Sequence, residues 1–129
     1  MQLGELEKLV LQYFWGGRTS DAKTVHAYFK KQRGGTLNTI QSTLDRLYKK
    51  KLLLREKQGH AFQYSAAMDR QAFIGQLIVD IGADYSADPG STLIAAFSSF
   101  SDKLSSDQIS ALEQLIEERR DTDSEKSDT

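Results

Sequence analysis

The chain contains no cysteine, which excludes a disulfide framework, a thiolate metal site and a cysteine nucleophile. Imidazoles are scarce: His26 and His60 are the only two, a poor supply for a metal centre or for histidine-based catalysis. No apolar run approaches the roughly 18 residues that a membrane span needs. Lys and Glu interrupt the N-terminal apolar stretch, so neither a secretory signal nor membrane insertion is expected. A reducing, cytoplasmic setting is compatible with the lack of cysteine. Catalysis wants a set of groups, and none assembles. His60 has no nucleophile in a recognisable elbow and no carboxylate to orient it. Glu5 and Glu7, like Glu117 and Glu118, are close in sequence but diverge in direction on a helix. The nine glycines follow neither the dinucleotide nor the P-loop spacing. No enzymatic activity, cofactor or metal is expected.

What the sequence does have is a charge split. The 129 residues sum to −1, a length suited to one ordinary domain or two very small ones. Residues 1–65 carry twelve Lys and Arg against five Asp and Glu, whereas residues 66–129 carry five against thirteen. A half at +7 and a half at −8 suggest a basic part built for a polyanion and an acidic part with another task.

Apolar periodicity gives the elements. Leu6, Leu9, Val10, Tyr13 and Phe14 recur at helical spacing, and Gly16 and Gly17 stop that helix as left-handed caps. A second helix is expected from about Asp21 to Gln32 with Ser20 as N-cap, ending at Gly34 and Gly35; His26 sits at the edge of its apolar face. A third starts at Leu37 or Asn38 and runs to Lys50, with Ile40, Leu44, Leu47 and Tyr48 on one face. Leu52–Arg55 and Ala61–Ser65, separated by a polar turn with Gly59, read as a hairpin. Three short helices closed by a hairpin make a winged helix-turn-helix.

From Asp69 the pattern is helical again. Phe73, Leu77, Ile78 and Ile81 form a stripe, with Gly75 and Gly82 as small positions where another helix could approach. After a break at Pro89 and Gly90, Ser91 or Thr92 caps a short helix bearing Leu93, Ile94, Phe97 and Phe100. Ser105 with Gln108 forms a capping box ahead of Ile109, Leu112, Leu115 and Ile116. Beyond Arg120 no apolar residue follows, and a disordered tail is expected. The fold class is therefore mainly α: a winged-helix domain over 1–65, a three-helix module over 66–120, and an acidic tail over 121–129. Short helices cannot bury so many large apolar side chains alone. A second copy would complete their core through Phe73, Leu77, Ile81, Leu93, Phe97, Ile109, Leu112 and Ile116; packing back onto residues 1–65 is the alternative.

The third helix carries the chemistry. Thr36 precedes it, and Asn38, Thr39, Gln41 and Ser42 are side chains able to meet base edges in a major groove. Arg46, Lys49 and Lys50 suit phosphates, which fix register without reading sequence. Arg55, Lys57 and His60 would let the hairpin lie along the sugar-phosphate backbone. Phe14, Trp15, Phe62 and Tyr64 lie on apolar faces and read as core rather than as base-stacking groups.

Residues 3–118 resemble the penicillinase and methicillin-resistance repressor family (BlaI/MecI type). The likeness rests on Leu3, Glu5 and Leu6 with Phe14-Trp15; on the run from Asn38 to Lys50, where Thr39, Ile40, Leu44, Arg46, Leu47 and Lys50 match best; on Gly59 and Tyr64; and on Gly90-Ser91, Thr92-Leu93-Ile94, Phe97, Leu104-Ser105 and Ile109-Ser110-Ala111-Leu112. The resemblance implies a homodimeric repressor on a palindromic operator, inactivated in the relatives by a β-lactam-sensing protease system. Some positions depart from the pattern. Lys51 stands where the family ends its recognition helix with Gly, Gln41 where Arg is common, and His60 where the wing has Arg. Ala96-Phe97 replaces the Asn-Phe bond cut in the antibiotic-resistance repressors, so cleavage by that route is not expected here. Without cysteine the copper sensor of other relatives is excluded. A protein-interaction module on the same scaffold, without specific DNA, is the second functional class.

Overall fold

The computed structural model describes residues 2–127. Its order is α1 (Glu5–Trp15), α2 (Ala22–Arg33), α3 (Leu37–Lys49), β1 (Leu53–Gln58), β2 (Ala61–Ala66), α4 (Arg70–Asp84), α5 (Pro89–Phe100), a 3-10 turn (Ser101–Lys103) and α6 (Ser106–Ser127). The winged helix-turn-helix followed by three helices is the expected architecture. The first three helices converge because each buries one apolar stripe: Val10, Leu11 and Phe14 from α1, Val25 and Phe29 from α2, and Ile40, Leu44 and Leu47 from α3. Leu52, Leu53 and Tyr64 close the core from the hairpin. Thr43 is fully buried on α3, and its hydroxyl is satisfied by donating to the Thr39 carbonyl at 2.8 Å.

The hairpin pairs antiparallel from Leu53↔Ala66 to Gln58↔Ala61, joined by a two-residue turn whose first member, Gly59, has φ +64°. A one-residue third strand anchors it. Ser20 and Tyr64 exchange both backbone hydrogen bonds, at 3.0 and 2.8 Å.

That bridge explains one difference from the sequence expectation. Ser20 is committed to the sheet, its hydroxyl 2.6 Å from the Tyr13 phenol, so Asp21 caps α2 by accepting from the Thr24 N–H at 2.8 Å. Of the two glycines after α1, only Gly17 is left-handed (φ +82°). Pro89 opens α5 at its first turn instead of breaking the chain, because Asp88 supplies the cap to Ser91. Ser105 and Gln108 do form the reciprocal capping box, at 3.1 and 2.9 Å. The expected disordered tail is corrected over 121–127, where α6 continues to Ser127. A charge pair one turn apart favours the helix there: Arg119 lies 3.5 Å from Asp123. Residues 128–129 fall outside the described residues.

Chain continuity at Asp69 is reinforced by packing. Trp15 donates its indole N–H to the Met68 carbonyl at 3.1 Å, and its ring meets Phe73 at 5.3 Å between centroids. At the other end of α4 a Cβ on Gly82 would collide with the Thr92 side chain, so glycine there permits α5 to fold back closely on α4.

At the end of α3, Lys51 adopts φ +66°, a left-handed conformation that costs an L-residue about 1–2 kcal/mol. The Lys51 N–H to the Tyr48 carbonyl and the Leu52 N–H to the Leu47 carbonyl, at 2.9 and 3.0 Å, lock the chain into it. Lys51→Gly should raise stability by about 0.5–1 kcal/mol once glycine's unfolded-state entropy is deducted. Denaturant unfolding checks this; an unchanged or lower midpoint would contradict it.

Candidate nucleic-acid interface

With Ile40, Leu44 and Leu47 turned inward, the 3.6-residue period leaves the opposite face of α3 to solvent. Asn38, Thr39, Gln41 and Ser42 are all exposed there. Thr36 is the N-cap, its hydroxyl accepting from the Thr39 N–H at 3.2 Å and meeting the Thr39 hydroxyl at 3.0 Å. Gln41 and the wing residue His60 line one cleft of about 320 Å³, with Lys23 at the start of α2 on its border. The fold thus brings the early polar positions of α3 and the hairpin tip to one surface.

The cations on this surface are paired in ways sequence spacing does not show. Glu7 of α1 is buried and lies 2.7 Å from Lys50 Nζ and 3.7 Å from Arg46 Nε. Lys50 also donates to the Gln2 carbonyl at 3.3 Å. On the other flank, Asp45 lies 2.9 Å from Lys49 Nζ and 3.2 Å from Arg55 Nη1. Arg46 and Lys49 keep most of their side chains in water, 53% and 72% exposed, whereas Arg55 is only 25% exposed. Lys57 and His60 are exposed near the hairpin tip.

The two carboxylates sense these partners. Burial pushes Glu7 upward, but the Lys50 ammonium, the Gly4 N–H and the Arg46 charge together hold it below its ordinary value of 4.5. Asp45 is held below its ordinary 3.8 chiefly by Lys49, with Arg55 adding to it against a desolvation penalty. Both residues are visible in the sequence, yet the role of Glu7 is not, since its partners lie 43 and 39 positions away.

The residues assigned to self-association are mostly uncovered. Phe73 is the exception, buried against Trp15, and Leu77 is half-buried beside it. Leu93, Ile94 and Ile116 are 58%, 69% and 51% exposed, and Ile81, Phe97, Ile109 and Leu112 are also open to solvent. On α6 every side chain from 106 to 124 is exposed. Among the described residues no three His, Cys, Asp or Glu side chains group as metal ligands, and no helix is long and apolar enough to cross a membrane.

Comparison with known proteins matches residues 3–118 to the family described as "Penicillinase repressor". Two relatives from Mycobacterium tuberculosis, from strains CDC 1551 / Oshkosh and ATCC 25618 / H37Rv, bear the name "Transcriptional regulator BlaI". The chain is 30% identical to each over 119 residues, covering 91% of this chain and 84% of theirs.

A carboxyl held below its unfolded value adds stability at pH above that value, and the increment disappears as the pH falls through the folded value. Glu7 should therefore stabilise the protein at neutral pH and cease to do so in acid, as the pH falls below 4.5 and through its folded value. Comparing Glu7→Gln with the wild type by denaturant unfolding, the gap in midpoint should be largest at pH 7 and close in acid, once the pH has fallen through the folded value. A gap of the same size at neutral and acid pH would refute this role.

Proposed function

Since the chain belongs to the penicillinase repressor family, we propose that this transcriptional repressor acts as a homodimer on a palindromic double-stranded operator. One observation carries the proposal: an α3 whose apolar side is sealed in the core while Asn38, Gln41 and Ser42 stand exposed beside a basic hairpin. Gln41 and Ser42 read base edges, with Thr36, Asn38 and Thr39 at the helix entrance. Lys49, Lys57 and the outer part of Arg46 neutralise phosphates and release counterions. Lys50, held by Glu7, fixes the start of α1 against α3.

The division into a head over 1–65 and a dimer module over 66–120 is part of the same proposal. The uncovered apolar residues of α4, α5 and α6 support it, since so many exposed large apolar side chains call for a partner surface. Phe97 lies within α5 and would be shielded between two copies, so release from DNA by a sensor or protease at Ala96–Phe97 would require local opening of that helix. A repressor of this kind works in the cytoplasm. The alternative, a winged-helix interaction module, differs in one measurable respect: it would bind no DNA under competition.

A mobility-shift assay on the protein's own upstream region, with excess nonspecific DNA, tests the DNA arm. Retained binding is expected. Gln41→Ala should cost about 1–3 kcal/mol on that site and relax preference at one position; equal loss on random DNA would sink the base-reading role. For the dimer arm, sedimentation should show two copies at micromolar concentration. Leu112→Asp should shift the chain toward monomer by placing a charge in the apolar seam.

A further inference from the structure

The sequence offers Arg55 as a phosphate ligand of the wing, but its surroundings suit another task. Its guanidinium carbon lies 3.9 Å from the centre of the Tyr48 ring on α3 and 4.3 Å from that of Phe62 on β2. The cation therefore lies against two aromatic rings, one from α3 and one from β2. One edge is taken by Asp45, which accepts from Nη1 at 3.2 Å. On the hairpin Arg55 stands opposite Tyr64. A single side chain on β1 thus touches α3, β2 and the acid that also holds Lys49. A phosphate here would have to share the guanidinium with Asp45 and with the Tyr64 phenol, which also bonds it. Lys57, two residues further on, is exposed and carries its charge on a flexible stem that suits that contact.

We infer that Arg55 is a positioning residue: it pins the hairpin to the recognition helix, and through that pin the angle of the wing governs discrimination between operator and other DNA. The inference rests on the DNA-binding reading above. The pin needs arginine, because a planar cation can lie against aromatic rings while presenting an N–H edge to a carboxylate. Lysine keeps the charge and loses both features. Charge therefore separates the two roles. A phosphate ligand is largely preserved in Arg55→Lys, whereas a pin is not.

The test uses the full chain and a duplex enriched by the wild type from a random-sequence pool, with a random duplex for comparison. Arg55→Lys should lose about tenfold or more in affinity for the enriched duplex. Its affinity for random DNA and the slope of log K against log salt should stay at wild-type values. Phe62→Leu, which removes one of the two rings but leaves the charge and the Asp45 bond, should show the same pattern. That pattern also excludes simple misfolding, which would lower binding to both duplexes together. Lys57→Gln is the contrast and should weaken both duplexes alike, lowering the salt slope by about one. The inference is overturned if Arg55→Lys and Phe62→Leu discriminate as the wild type does while Arg55→Gln weakens both duplexes and lowers the salt slope by about one. If the wild type enriches no sequence, the DNA-binding reading fails and the inference falls with it; enrichment with wild-type behaviour of both variants removes the inference alone.

Discussion

The recognition surface faces a problem of self-repulsion. Between Arg46 and Arg55 the chain places Arg46, Lys49, Lys50, Lys51 and Arg55 within ten residues, on a helix end and the strand after it. Like charges at such separations oppose compaction. Two carboxylates answer this from opposite flanks, Glu7 from α1 and Asp45 from α3 itself. Each holds two cations, and each ties α3 to a different neighbour. The seam of Ile40, Leu44 and Leu47 seats α3 in the core, and these acids add to it by tying the charged end of the helix to its neighbours.

This division also sorts the cations by availability. Lys50 and Arg55 are drawn into contacts that hold elements together, while Lys49 and Arg46 touch an acid yet keep most of their surface in water. Net charge over residues 1–65 therefore overstates the charge ready to meet a polyanion. A basic half can be basic partly for internal reasons.

The head was legible because its signals are local. Period 3.6 marks α1 to α3, and Gly59 between two short runs marks the hairpin. What escaped was whatever needed a second segment to decide it. Ser20 looks like an N-cap until Tyr64 claims its backbone, and Pro89 looks like a breaker until Asp88 caps the turn it begins. In the interface the exposed polar residues of α3 were readable from the helix period, but the pairing of Lys50 with Glu7 and the aromatic contacts of Arg55 join segments that composition cannot place side by side. Phe73 shows the same limit in the second half. Its spacing put it in a stripe with Ile81, yet Trp15 covers it, leaving the outer part of the stripe to face solvent.

The rung where Arg55 faces Tyr64 is held twice over, by the Ser20 backbone on one strand and by α3 on the other. Beyond it the hairpin runs three further rungs, Glu56↔Gln63, Lys57↔Phe62 and Gln58↔Ala61, before turning at Gly59 and His60. At about 3.3 Å per residue that is an overhang of about 10 Å. The held rung is a fulcrum and the tip a lever arm, so a tilt of about 10° there would carry the tip through about 2 Å. A movement too small to disturb any strand pairing can in this way carry His60 across the width of a hydrogen bond, making the far end of the wing its most sensitive point.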